Sequence, residues 1–315
     1  MKVLAVVITY FPDLELLKSG IDSYLEYVDE VVIWDNTPQK EKKNELPDND
    51  KIKYLSRGKN VGISQALNYV LSYAIDNKYD YLLTMDQDSS ICNTNILFER
   101  VLLNSNKPLG IYGTGQIHNK SIKEGIKRYI FSFYSSLFPL KQVAYSDLNE
   151  KEKKKYSKKY GNLFNSTTTH YRLCRYRITS GSLIPISVLR EIGGYEKEFF
   201  VDGIDVELSY RARAKGFYTY AINGCCLRHR FGESINKQVL GIKINIPSYS
   251  PSRLYGIIRN HLIIIRKYNS AILLIHFIKQ YIIKFLFSIL VFEENKRAKI
   301  KAIFAGVKDG FKYVI

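Results

Sequence analysis

Tyr79-Asp80-Tyr81-Leu82-Leu83-Thr84-Met85-Asp86-Gln87-Asp88 is an apolar, strand-forming run that empties directly into a pair of carboxylates. Apolar runs of this length are characteristic of strands buried on both faces of a parallel sheet. The chain opens on another, Val3-Leu-Ala-Val-Val-Ile8, stopped by Phe11-Pro12. Between the two, a helix pattern at Leu14, Leu17, Ile21 and Leu25 leads to Glu30-Val-Val-Ile-Trp34, which ends at the loop Asp35-Asn36-Thr37. Lys51-Ile-Lys-Tyr-Leu55 reads as a short third strand. Asn60-Val61-Gly62 then opens a helix with apolar residues at Ala66, Leu67, Val70, Leu71, Ala74 and Ile75, which follows the 3.6-residue period. Strand alternating with helix predicts an α/β fold with a doubly wound, mostly parallel sheet. Such sheets bind ligands at the carboxyl ends of their strands, where Tyr10, Asp35, Asn60 and Asp86 through Asp88 all fall.

At 315 residues the chain can hold one large domain, or one domain with an appendage. An apolar share of 46% with 13% aromatic residues excludes general disorder. The net charge of +17 is unevenly spread: residues 1–98 carry 10 Lys and Arg against 15 Asp and Glu, whereas residues 250–315 carry 12 against 3. A basic second half suits an anionic partner, such as a phospholipid surface, a lipid-linked pyrophosphate or nucleic acid. The lysine run at 153–159 reads as a solvated surface. Cys92, Cys174, Cys225 and Cys226 show no Cys-x-x-Cys spacing, which argues against a zinc site or a disulfide framework and for a reducing compartment. Met1-Lys2 leads into a short apolar run with no cleavage-site pattern, so the start reads as a strand and not a signal peptide.

Residues 120–177 break the alternation, mixing Tyr129, Phe131, Phe133, Tyr134 and Phe138 with lysines and a Ser-Thr-Thr-Thr stretch. They read as an insertion, part amphipathic helix and part loop, that forms a lid, a membrane-facing element or an ordinary surface excursion. Order resumes at Ile178-Thr-Ser-Gly181-Ser-Leu-Ile, a helix over 186–192 and a Gly193-Gly194 turn. The expected division is a catalytic domain over 1–250 and a helical, basic extension over 251–315. In that extension, Ala271 to Phe292 is apolar except at His276, Lys279, Gln280, Lys284 and Ser288, which fall on one helical stripe. Spanning a bilayer would bury two lysines at roughly 2.5–3.5 kcal/mol each. An interfacial helix, a helix packing two copies together and a helix packed on its own domain are the readings left open, and the basic tail at Lys296, Arg297, Lys299 and Lys301 favours a membrane surface.

Asp86 and Asp88 follow a buried strand, so two hard oxygen donors sit at a sheet edge, where they can share Mg2+ or Mn2+ with a diphosphate. Turns are rich in Asp for backbone reasons, and only the position after an apolar strand makes the pair informative. A second acidic cluster, Phe200-Val-Asp202-Gly-Ile-Asp205-Val-Glu207-Leu-Ser-Tyr-Arg211, opens a helix. Carboxylates are favoured there by the helix dipole, but three of them beside Phe199-Phe200 go beyond capping. A carboxylate against an apolar wall can serve as a general base. His229 between Arg228 and Arg230 suits a pyrophosphate or a third metal ligand, and Arg253, Tyr255, Arg259 and Asn260 could grip phosphate oxygens.

Taken in order, Thr9-Tyr10-Phe11-Pro12, Asp35-Asn36, Asn60-Val-Gly62 with Asn68, Asp86-Gln-Asp88, Thr179-Ser180-Gly181 and Phe200 through Arg211 resemble the motifs of the family 2 inverting glycosyltransferases of the GT-A fold. Asp-Gly-Ile-Asp-Val-Glu, with His229, Gly232 and Arg259-Asn260, resembles the bacterial rhamnosyltransferase branch. The likeness spans roughly residues 3–265. It implies a donor site at Tyr10, Asp35, Asn60, Gly62, Asp86, Ser180, Gly181, Arg253 and Arg259, and Mn2+ or Mg2+ on Asp88 and His229. It also implies a catalytic base at Asp205 supported by Asp202, Glu207 and Arg211. Ile204 stands where the commoner pattern has an acid, which leaves the proton acceptor open between Asp205 and Asp202. The implied partners are a nucleotide-sugar donor, dTDP-rhamnose first and a UDP-hexose or UDP-galactofuranose second, and a saccharide or lipid-linked acceptor at the inner membrane surface, with a homodimer open and no nucleic acid. The location implied is cytoplasmic, peripheral at the inner face of the cell membrane. Two other classes remain. A nucleotidyltransferase would show a Gly-rich basic loop near the N-terminus, which residues 9–20 lack. A non-catalytic membrane-bound assembly partner would leave the second acidic cluster unexplained.

Overall fold

The computed structural model describes residues 1–38, 49–104, 107–116, 170–229, 234–239, 242–268, 274–275 and 277–315, with backbone alone at 115, 116, 229, 234–239, 242–247 and 280. The insertion expected over 120–177 therefore lies outside the described residues up to position 169. The chain divides into two compact units, Met1–Lys197 with Leu208–His229, and Glu198–Glu207 with Arg230–Ile315.

The first unit is a mixed sheet flanked by helices. Its strands are β1 (Val3–Thr9), β2 (Glu30–Asp35), β3 (Ile52–Ser56), β4 (Tyr81–Asp86), β5 (Ser89–Cys92), β6 (Gly110–Gln116), β7 (Tyr171–Cys174), β8 (Ser182–Pro185) and β9 (Tyr218–His229). They run in the order β3-β2-β1-β4-β8-β6-β9-β5, with β7 paired to β9 off that path. The parallel pairs β1–β2, β1–β4 and β2–β3 are those the strand–helix alternation predicts. Past β4 the alternation stops, and β8 on β4, β5 on β9 and β7 on β9 are antiparallel. Residues 171–174, read from sequence as the tail of an irregular insertion, are the strand β7.

Helices α1 (Leu14–Asp22), α2 (Ile63–Asp76), α3 (Thr94–Phe98) and α4 (Ile186–Ile192) belong to this unit. The N-cap Asp13 of α1 accepts from the Leu16 amide at 3.2 Å, which satisfies one of the free donors of the first turn. The apolar positions of α2 predicted from their period are its buried ones: Ala66, Leu67, Val70, Leu71 and Ala74. Val3, Ala5, Val7, Val31, Ile33, Leu83 and Met85 join one continuous core. Burial of each large aliphatic side chain among them is worth about 1.5–3 kcal/mol.

The second unit takes in Glu198–Glu207, with the first turn of α5 (Ile204–Ala214), and the antiparallel hairpin of β10 (Ser234–Val239) and β11 (Ile242–Pro247). Its described residues also form α6 (Pro251–Tyr268), a π-helical turn (Ile278–Ile283) running into α7 (Lys284–Phe292), and α8 (Lys296–Lys312). Leu254, Ile258, Leu262, Ile265, Phe277, Ile289 and Ile303 make its core. Close approach of α8 to α6 depends on two glycines: a Cβ at Gly306 would sit 2.8 Å from the Tyr255 carbonyl oxygen, and one at Gly310 3.0 Å from Leu262 Cβ. Behind α7, buried Glu293 accepts from Lys299 Nζ at 2.5 Å, Ser248 Oγ at 2.7 Å and Ser288 Oγ at 3.0 Å.

The polar stripe predicted across 276–288 divides. Lys279 and Lys284 are exposed while Ser288 is buried against Glu293, because the π-helical turn carries more residues per turn and rotates the helix beyond it. His276 and the Gln280 side chain lie outside the described residues. Among the described residues, no helix is long and apolar enough to cross a membrane.

Candidate functional site

Register places Thr9 beside Asp35 on β1 and β2, and Ile8 beside Asp86 on β1 and β4. Acids on the two strands that flank β1 thus end those strands within one register position of each other, at the carboxyl end of the parallel part of the sheet. Asp35 is buried and held from three sides: its carboxylate accepts from the Thr9 hydroxyl at 3.2 Å, the Thr37 amide at 2.9 Å and the Tyr54 hydroxyl at 2.5 Å. Burial and this bond to Asp35 push the Tyr54 phenol well above its usual range, so it stays a donor. The next residue, Asn36, is also buried. Its Oδ1 accepts from Trp34 Nε1 and the Val61 amide, and its Nδ2 donates to the Gly62 carbonyl. Asn60 Oδ1 in turn accepts from the Gly62 amide at 2.9 Å, with Gly62 at φ +80°, a conformation that favours glycine. Asp35, Asn60 and Gly62 are therefore parts of one bonded loop system.

Gln87, between the two motif carboxylates, accepts from the Tyr10 amide at 2.7 Å and donates to the Tyr10 carbonyl at 3.2 Å. The turn after β4 is tied in this way to the end of β1, where Tyr10 and Phe11 are exposed. Ser180 Oγ accepts from the Asp86 amide at 3.0 Å, and the Gly181 amide donates to the Thr84 carbonyl at 2.8 Å. Gly181 sits at φ +73°, and a Cβ there would fall 2.5 Å from Thr114 Oγ1. Backbone pairing puts position 229 opposite Ser89, one residue from Asp88; the His229 side chain lies outside the described residues. Tyr10, Asp35, Asn60, Gly62, Asp86, Asp88, Ser180 and Gly181 are thereby brought together on the first unit.

The second unit gathers the other acidic group. Asp202 accepts from Arg253 Nε and Nη2, both at 3.3 Å, a forked ion pair, and its backbone carbonyl accepts from Asn260 Nδ2 at 2.8 Å. Gly203 comes next at φ +86°, where a Cβ would meet Ile264, Asn260 and Phe199. Asp205 stands in the first turn of α5, and its Oδ1 accepts from the Val206 amide at 2.8 Å. Glu207 is fully buried, with Lys267 Nζ at 2.8 Å and the Tyr268 hydroxyl at 2.9 Å on its Oε1. Arg259 reaches the Glu198 carbonyl oxygen and carboxylate and Asn260 Oδ1. Arg211 lies further along α5 in the first unit and donates to the Ile192 carbonyl at 3.0 Å.

Chemically, the first unit offers hard oxygen donors beside a polar, preorganised loop, and the second a helix-borne carboxylate flanked by ion-paired acids. Two carboxylates at a strand end suit Mg2+ or Mn2+, with phosphate oxygens completing the shell. Among the described residues no three His, Cys, Asp or Glu side chains cluster as a complete metal site. Lys267, Tyr268, Tyr54 and Gln87 carry parts of these arrangements that the sequence reading did not single out. Gln87 was detectable from its place inside the motif; Lys267 is 60 positions from its partner, and nothing local marks it.

The model of the Glycosyl transferase family 2 matches residues 5–178 of the chain. The dTDP-rhamnosyl transferase RfbF of Shigella flexneri is 27% identical over 310 residues, covering 98% of this chain and 95% of the relative. Two solved structures share the fold. One is GalNAc-T7 with UDP, GalNAc and Mn2+, at TM-score 0.55 and 14% identity, matched over the whole of this chain and 56% of its own length. The other is TarS 1–349 of S. aureus in complex with UDP-GlcNAc, at TM-score 0.55 and 13% identity, covering 98% of this chain and 81% of that one.

Proposed function

The chain belongs to glycosyl transferase family 2 and is a glycosyltransferase, and from that premise we propose that it moves L-rhamnose from a dTDP donor onto a saccharide or lipid-linked acceptor. The work is the assembly of a bacterial surface polysaccharide, at the inner face of the cell membrane. The observation that supports the donor site is the register that pairs Thr9 with Asp35 and Ile8 with Asp86, so that two acids end the strands on either side of β1 within one residue of each other. Likeness over nearly the full length to a relative named as a dTDP-rhamnosyl transferase supports the choice of sugar.

In this reading Asp35, fixed by Thr9, Thr37 and Tyr54, receives the base of the nucleotide. Asp86, whose amide is anchored on Ser180, contacts the ribose or the sugar. Asp88, together with His229, would hold Mn2+ or Mg2+, which when bound supplies positive charge against the departing diphosphate. Asp205 takes the proton from an acceptor hydroxyl. The acceptor oxygen then bonds to the anomeric carbon from the face opposite the leaving group, the carbon–phosphate oxygen bond breaks, and the configuration inverts. Both oxygens of Asp202 are turned to the Arg253 guanidinium, and Glu207 is buried on Lys267, which supports Asp205 as the base. Arg253 and Arg259 contribute as much by shaping the acidic cluster as by meeting phosphate.

Thermal unfolding with dTDP-rhamnose, UDP-glucose, UDP-galactose and UDP-galactofuranose, each with Mn2+ or Mg2+ and again with EDTA, tests the reading. A donor at a hundred times its Kd stabilises the folded state by about 2.7 kcal/mol. Metal-dependent stabilisation selective for dTDP-rhamnose is expected. A larger shift with a UDP sugar replaces the donor, and no shift with any of the four overturns the assignment.

A further inference from the structure

In the second unit the helical stretch from Ile278 to Phe292 is apolar on its outward face as well as on the face it packs into the core. From the π-helical turn through α7 the inward positions include Phe277, Ser288 and Ile289, while Ile283, Phe287, Leu290 and Val291 face outward with 58%, 58%, 55% and 52% of their surface exposed. Large exposed aliphatic and aromatic residues are ordinary when scattered. Here they recur along one helical face, with Ile275 and Ile278 before them and Lys279 and Lys284 set among them. The next helix, α8, repeats the pattern with another chemistry. Arg297, Lys301, Phe304, Lys308 and Phe311 are all exposed and spaced three or four apart, so they share one stripe.

Charge decides what covers these faces. Residues 274–315 hold eight Lys and Arg against three acids. Of those acids, Glu293 is buried on Lys299 and Asp309 is half-buried with the Tyr255 hydroxyl on it, which leaves Glu294 exposed. A second copy docked through a two-fold axis would set this patch on itself, opposing one basic stripe to another. An anionic phospholipid surface meets both demands: headgroups for the lysines and arginine, and the acyl boundary for the aromatic and aliphatic side chains. Apolar side chains on the outward faces with lysines and arginine set among them suit a contact in the plane of the interface.

We propose that the outward faces of α7 and α8 dock this chain onto an anionic phospholipid membrane surface. The inference gives the membrane-side part of the function above a location in the fold, and it rests on exposure and charge, not on the donor assignment. Its test is flotation of the full chain with vesicles of phosphatidylcholine alone and of phosphatidylcholine mixed with phosphatidylglycerol, at low and high salt. Binding to the mixed vesicles, weakened by salt, is expected. Arg297→Gln with Lys301→Gln reduces it on the order of 30-fold, and Phe287→Ser with Leu290→Ser by at least about tenfold. All four positions are exposed and outside the donor and acid groups, so circular dichroism and the donor-induced thermal shift stay at the wild-type values. Absence of binding to the mixed vesicles, or binding that both variants retain, overturns the proposal. So does a wild-type dimer that Phe287→Ser with Leu290→Ser converts to monomer without any vesicle binding, since a second copy would then own the face. A missing donor shift with intact vesicle binding strikes the donor reading alone.

Discussion

Replacing Lys267 with Met takes the cation from a carboxylate that has none of its surface in water. Glu207 is 0% exposed, and its Oε1 receives Lys267 Nζ at 2.8 Å beside the Tyr268 hydroxyl at 2.9 Å. Removing one member of a buried ion pair costs about 3–5 kcal/mol, because the remaining charge stays desolvated. The Lys267 side chain is 28% exposed, so water softens the loss, and about 3 kcal/mol is expected. Glu207→Gln leaves an ammonium that can turn to solvent and keeps an acceptor in place, at about 1 kcal/mol. Combined, the two changes restore a neutral site and should cost about 2 kcal/mol less than their sum. Urea unfolding followed by fluorescence and circular dichroism, with slopes compared between variants, measures all three. The pair is expected to fix the first turn of α5, and a Lys267→Met cost below about 1 kcal/mol, or plain additivity in the double variant, would refute this. Asp205 is two residues ahead on that turn, so the same variant is also expected to lower turnover.

Three further outcomes are expected. Asp205→Asn lowers kcat on the order of 10²- to 10⁴-fold with the donor-induced thermal shift intact, while Asp202→Asn has a smaller effect; a reversed order in single-turnover assays would move the base to Asp202. Gly181→Ala forces a side chain into φ +73° against Thr114 Oγ1 and is expected to cost at least about 2 kcal/mol, read by calorimetry, with a change under about 0.5 kcal/mol sinking the argument. For Glu293, burial raises its carboxyl but the bonds from Lys299, Ser248 and Ser288 outweigh it and hold the group below the usual range. A depressed native value means the unfolded chain takes up the proton first. The stability wild type holds over Glu293→Gln at neutral pH should therefore shrink as pH falls below about 4.3, and urea midpoints showing the difference growing toward acid would contradict it.

The parallel half of the sheet is legible because β1, β2 and β4 are buried on both faces, which writes the burial into unbroken apolar runs. The antiparallel half is not. β7 is four residues long inside a stretch read as irregular, and β8, whose apolar run is visible, joins β4 across about a hundred positions, so its pairing has no local signal. The strand-end residues Asp35, Asp86 and Asp88 could be found because they directly follow those runs. The pairing of Glu207 with Lys267 and of Asp202 with Arg253 is set by the packing of α6, and no spacing in the sequence encodes it. The helix after α6 shows a third kind of gap: the polar positions 279, 284 and 288 share a stripe only on an ideal helix, and the π-helical turn separates them.

Gln87 has a consequence for anyone altering this enzyme. Its side-chain amide meets the Tyr10 peptide through one donated and one accepted bond, and so mimics the backbone of an additional sheet residue. The middle letter of Asp-Gln-Asp is then not a free spacer. Grafting another Tyr10–Phe11 loop onto this scaffold to change sugar preference calls for re-choosing position 87 in the same step, since the loop and the acidic turn are mated parts.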